Sequence, residues 1–211
     1  MYMAYNSQEK MSSLSNHWGI CVEEETCGGI REVSLFTKNL SERKIFLTGE
    51  ITEDLANKFV MQMMYLVSVS SDPINIYLNS PGGTVDAGLV IYDMIQSCDG
   101  KVPVNIYCIG MAASMGAVIL ASGQKGRRFV LPHSRIMIHE VRIDGGLSGT
   151  VTSIKKAAES MEQTNAIAAE ILAKHTGKSL EEIYEATSFD NYMTPEEAKA
   201  FGLCDEVGYL F

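Results

Sequence analysis

Three features of the chain predict an α/β fold built on a layered sheet. Short apolar strands alternate with amphipathic helices from about residue 43 to the end. A glycine or a helix-capping residue stands at the junctions. The 211 residues, 46% of them hydrophobic, suffice for one sizeable core and are few for two. The strand–turn–helix units share a layout without being sequence repeats.

Residues 1–30 are polar and weakly periodic, which predicts a flexible N-terminal arm with Glu23-Glu24-Glu25 in a solvated loop. Residues 44–47 read as a strand ended at Gly49. Thr52 is a helix N-cap, with Glu53 and Asp54 favoured in the first turn by the helix dipole. Leu55, Phe59, Val60, Met63 and Val67 then follow at helical spacing. Residues 74–78 form the next strand, Asn79-Ser-Pro-Gly-Gly83 turns the chain, and 85–95 make an amphipathic helix. A strand over 103–109 is expected to turn at Gly110 into a helix over 114–120. Strands follow at 128–131 and 135–138. Asp144 to Gly149 is a glycine-rich link to a long helix over 151–174, stopped at Gly177. Its apolar positions Ile154, Ala157, Met161, Ile167, Ile171 and Leu172 fit two arrangements, packing on another subunit or on the helix's own domain. Ser179 caps a short helix. Thr194-Pro-Glu-Glu197 opens the last one with an N-cap, a first-position proline and a third-position glutamate, and Gly202 closes it.

A net charge of −9 argues against nucleic acid and anionic membranes as partners. The five cysteines (Cys21, Cys27, Cys98, Cys108 and Cys204) fit no metal-ligand spacing. Free thiols suit a reducing compartment. The N-terminus lacks a basic start followed by an apolar run, and no run reaches the ~20 residues a membrane helix needs. The expected location is cytoplasmic, with no cofactor and no metal.

The chemistry concentrates in Gly110-Met-Ala-Ala-Ser-Met-Gly-Ala117. A reacting serine needs an exposed hydroxyl at a tight bend, with free N–H groups nearby for the developing oxyanion. Small residues keep the bend at Ser114 open, and the helix that follows offers its N-terminal N–H groups. The Met115 N–H is the natural first donor, and bare backbone at Gly82-Gly83 can supply a second. Of the four histidines, His17 lies in the arm, His133 in a turn and His175 at a helix stop. His139 ends a strand and is the best general base. The other imidazole nitrogen needs an acceptor, and Asp144, Asp190 and Asp205 all remain open.

Lys44-Ile-Phe-Leu-Thr-Gly-Glu50, Asn79-Ser-Pro-Gly-Gly83, Gly110 to Ala117, Leu131-Pro-His-Ser-Arg-Ile-Met-Ile-His139, His175-Thr-Gly-Lys-Ser179 and Ala198 to Leu203 together resemble the ClpP peptidase family, from about residue 43 to the C-terminus. The resemblance implies a crotonase-like ClpP fold of repeated strand-strand-helix units over 31–211, with a protruding strand-helix handle at 140–176. It implies Ser114 as nucleophile, His139 as base and Asp190 as the third member, with the Gly83 and Met115 N–H groups as oxyanion hole. Family members stack two seven-membered rings into a tetradecamer that encloses the sites. An AAA+ unfoldase such as ClpX, ClpA or ClpC feeds them unfolded polypeptides, and ATP is used by that unfoldase and not by this chain. Substrate would lie as an extended strand along residues 145–149. Three places depart from the family pattern: Glu140-Val141 replaces the usual Gln-Pro, Ser188-Phe189 an acidic-Arg pair that ties the rings, and Asn75 one of two tyrosines. These departures give the alternative of a regulatory or partner subunit in a mixed ClpP ring. A crotonase-type acyl-CoA enzyme would leave the serine, histidine and aspartate without a purpose.

Overall fold

The structure, a computed structural model, describes residues 20–26, 28–142, 146 and 148–210. His17, Cys27 and Asp144 lie outside the described residues, as do residues 145 and 147 of the glycine-rich link. The chain divides into two compact units, residues 1–44 and 45–211.

Residues 1–19 of the expected arm lie outside the described residues, and from Cys21 on the first unit forms strands where a loop is expected. Cys21–Thr26 (β1) and Gly29–Ser34 (β2) pair antiparallel, with Cys21 opposite Ser34, and Leu35–Ser41 (α1) follows. Glu23, Glu24 and Glu25 are therefore strand residues. Cross-strand charge pairing compensates the middle residue, Glu24, whereas Glu23 stands opposite Glu32 and Glu25 opposite Ile30. Arg31 stands opposite Glu24 and donates to its carboxylate at 2.8 Å, and Lys38 of α1 donates at 2.8 Å. Lys38 first, then Arg31, holds that carboxyl down at about 2.

Lys44–Thr48 (β3) starts at the boundary, and the second unit continues with Glu53–Val69 (α2), Ile74–Ser80 (β4), Val85–Gln96 (α3), Val104–Ala113 (β5), Met115–Ala121 (α4), Arg128–Val130 (β6) and Arg135–Ile138 (β7). Val151–Thr176 (α5), Leu180–Thr187 (α6), Asn191–Met193 (β8), Pro195–Phe201 (α7) and Glu206–Val207 (β9) complete it. Thr52, Ser179 and Thr194 are N-caps as the sequence predicts, the last two with full capping boxes. The sheet runs β3-β4-β5-β6-β9, with β7 on β5 and β8 on β7. The pairs of β5 with β4, β6 and β7 are parallel, and β8 lies antiparallel to β7. Alternation sorts the two faces. Ile74, Ile76, Leu78, Val104, Ile106 and Cys108 are fully buried. On the other face Phe46, Tyr77, Tyr107 and Phe129 stack in a row at centroid spacings of 5.0, 5.3 and 4.9 Å.

Strand β5 runs past Gly110, where a turn was expected, to Ala113. Its register with β4 slips, Leu78 facing Cys108 and then Ser80 facing Ala112. The Asn79 side chain compensates by accepting the Met111 N–H at 2.9 Å. Residues 106–108 of β5 pair with β6 and 111–113 with β7, so one strand serves two partners. Helix α5 ends at a left-handed Gly177. Its buried residues, Ala169, Ile171 and Leu172, lie in the C-terminal half, while Val151 is 86% exposed.

Arg128 ties the C-terminal ends of three helices together. Its Nη1 donates to the Ala121, His175 and Gly202 carbonyls, and its Nε and Nη2 grip Asp205 at 2.9 and 2.6 Å. Burial alone would push the Asp205 carboxyl up. The Arg128 guanidinium, helped by the Arg128 and Gly126 N–H groups, holds it below the usual range.

Candidate active site

Strand register brings the site together. Ala113 of β5 pairs with Met137 of β7, and both strands point the same way. Ser114 and His139 therefore leave neighbouring strands at the same C-terminal edge, where ligands bind in parallel sheets. Strand β8 runs antiparallel to β7 with Asn191 opposite Ile138, so one step further places Asp190 opposite His139.

The side chains complete the line. Ser114 Oγ lies 2.8 Å from His139 Nε2, and His139 Nδ1 lies 3.1 Å from Asp190 Oδ1. An ionised carboxylate only accepts, so Nδ1–H donates to Asp190 and leaves Nε2 to accept the serine proton. The His139 side chain is 10% exposed and that of Asp190 50%. The backbone fixes both ends of the line. Ser114 N–H donates to the Met137 carbonyl at 2.8 Å, and Glu140 N–H to the Thr187 carbonyl at 2.7 Å.

Ser114 sits at φ 54°, ψ −124°, one of two non-glycine residues among those described with positive φ. A non-glycine residue is held there only when its surroundings insist on it. Parallel pairing on one side and the start of α4 on the other do so, and the bend lifts Oγ off the sheet edge as in a nucleophile elbow.

Among the described residues, two N–H groups near the serine have no backbone acceptor. Met115 is the first residue of α4, whose opening N–H groups have no partner inside the helix. Gly83 forms a parallel bridge with Ile51, in which Ile51 N–H donates to the Gly82 carbonyl and Thr84 N–H to the Ile51 carbonyl. That geometry turns the Gly83 N–H away from Ile51. Only glycine fits, because a Cβ at Gly83 would collide with the Ile51 backbone. At Gly82, φ 99°, a Cβ would come within 2.7 Å of Ser114 Cβ. Ser114, Gly83, Met115 and His139 all line one cavity of ≈ 420 Å³.

Ser114, His139, Asp190, Gly83 and Met115 are thus brought together. Asp205 is not, being committed to Arg128. His133 is exposed in a turn. His175 is partly buried, 3.1 Å from the Tyr92 hydroxyl, and burial first, then Lys174 and Arg128, pushes it down to about 4. Arg142, whose Nη1 lies 3.9 Å from Asp190 Oδ1, was not singled out in the sequence. Its only signal was its place three residues after His139.

The architecture is a mixed α/β fold on a largely parallel sheet with seven helices among the described residues, and its C-terminal edge carries the hydrogen-bonded line of Ser114, His139 and Asp190. The sequence matches the family described as Clp protease over residues 27–209, and the chain belongs to that family. Membership implies a peptidase, a hydrolase with the ClpP fold, and in general ring assembly and unfoldase partners. No helix among the described residues is long and apolar enough to cross a membrane.

Proposed function

We propose that this chain is a self-compartmentalised serine endopeptidase that cuts unfolded polypeptides into short peptides. The observation that carries the reading is the continuous line from Ser114 Oγ through His139 to Asp190, in a cavity that Gly83 and Met115 also line. His139 Nε2 takes the Ser114 proton as Oγ attacks the scissile carbonyl. The new C–O bond places negative charge on the carbonyl oxygen, which accepts from the Gly83 and Met115 N–H groups. His139 returns the proton to the leaving amine, and a water repeats the sequence on the acyl-enzyme. Asp190 keeps Nδ1 protonated and stabilises the imidazolium. The subunits form stacked rings that enclose the sites, and an AAA+ unfoldase, the component that consumes ATP, feeds them. The exposed N-terminal half of α5 supplies an element for contact between rings.

The test is cleavage of a fluorogenic peptide by the assembled protein and by Ser114→Ala, with particle mass measured by light scattering. Cleavage lost from an intact variant particle supports the reading. Cleavage retained by the variant refutes it.

A further inference from the structure

The cavity beside Ser114 is apolar at its floor and acidic at its rim. Met115, Val118 and Leu172 line it and are buried. Glu50 and Glu140 line the same cavity and are exposed. Both sit on backbone fixed next to the reacting groups. Glu50 precedes Ile51, which bridges to Gly83, and Glu140 follows His139 with its N–H held by Thr187. Among the described residues neither carboxylate forms an ion pair or a side-chain hydrogen bond. Arg142, the cation lining the cavity, is 3.9 Å from Asp190. Among the described residues the rim therefore holds two carboxylates and one guanidinium, a net negative charge beside Ser114.

We propose, resting on the peptidase reading above, that Glu50 and Glu140 select the sites cut. An apolar side chain enters the cavity and a lysine or arginine flanks it, while acidic flanks are rejected. A basic neighbour brings the opposite charge to both carboxylates, and an acidic neighbour meets like charge in a partly desolvated cleft. Lysine and arginine also lay their methylene stems along the apolar wall while the charged head stays in water. Exposed carboxylates that merely kept the rim hydrated would not distinguish these substrates.

The test uses matched fluorogenic peptides with one apolar residue at the cleaved bond and Lys, Gln or Glu next to it. At low salt the expected kcat/KM order is Lys, Gln, Glu, with about tenfold between the extremes, a span that shrinks as salt screens exposed charges. In the Glu50→Gln/Glu140→Gln double variant the Lys-to-Glu ratio falls to about twofold or less. Equal rates for the three peptides, or a ratio that survives the double variant, overturn the proposal. Anisotropy binding of the same peptides to Ser114→Ala gives a readout that needs no cleavage. If no peptide is cut, the peptidase reading fails, and tighter binding of the Lys peptide still upholds the charge selection. Equal binding there overturns it.

Discussion

Replacing Arg128 with methionine tests how the site is held. The side chain is 3% exposed and that of its partner Asp205 15%. Methionine has a similar volume, so no large cavity opens. What is lost is five donor contacts: two to Asp205 and one each to the Ala121, His175 and Gly202 carbonyls. Asp205 keeps only the Gly126 and Arg128 N–H groups, at 2.8 and 3.1 Å. Breaking a buried pair by removing one partner costs about 3–5 kcal/mol, a large fraction of a typical stability of about 5–15 kcal/mol. Urea unfolding, read by fluorescence and circular dichroism at one protomer concentration, measures it. The Arg128→Met/Asp205→Leu double variant is expected to lose less than Arg128→Met alone, because no uncompensated carboxylate remains. A single-variant loss below about 1 kcal/mol, or a double variant worse than the single one, refutes the reasoning.

Asp190→Asn puts an amide that can donate as well as accept beside His139 Nδ1, so the tautomer that leaves Nε2 to accept from Ser114 is no longer fixed, and kcat is expected to fall by on the order of 10²–10⁴ with KM little changed. A matching fall in folded stability would show a structural role instead. Gly83→Ala forces the backbone away from Ile51 and displaces the proposed oxyanion donor, with an expected loss of about 10²–10³ in kcat. Unaltered kcat in a folded variant would remove Gly83 from the site. His175, pushed down to about 4, stays neutral in the folded protein while an unfolded histidine titrates near about 6.5. The unfolded state therefore binds more protons between those values, so stability is full above the higher one and falls as pH drops toward the lower. The urea midpoint is expected to decline across that window in the native protein and less in His175→Gln. Equal declines contradict the assignment.

Much of this site was legible before any coordinates. Ser114 and His139 stood out because each ends a strand, and small residues around Ser114 keep its bend open. The third member was not legible from spacing, since Asp144, Asp190 and Asp205 were equally available. It is chosen by the antiparallel register of β7 and β8, and β8 is three residues long with no periodicity to read. Strand β5 was read too short because Gly110 signals a turn, whereas the Asn79 side chain stands in for the missing ladder bond. The β1–β2 hairpin is hidden in the sequence by its acidic residues, of which Glu24 meets its cations, Arg31 and Lys38, seven and fourteen residues on.

The most direct test of the central claim is labelling with a fluorophosphonate, located by mass spectrometry on the assembled protein. An adduct on Ser114, lost in His139→Ala, is the predicted result. A folded, assembled protein that takes no adduct, or takes it at another residue, would contradict the claim that Ser114 is an activated nucleophile.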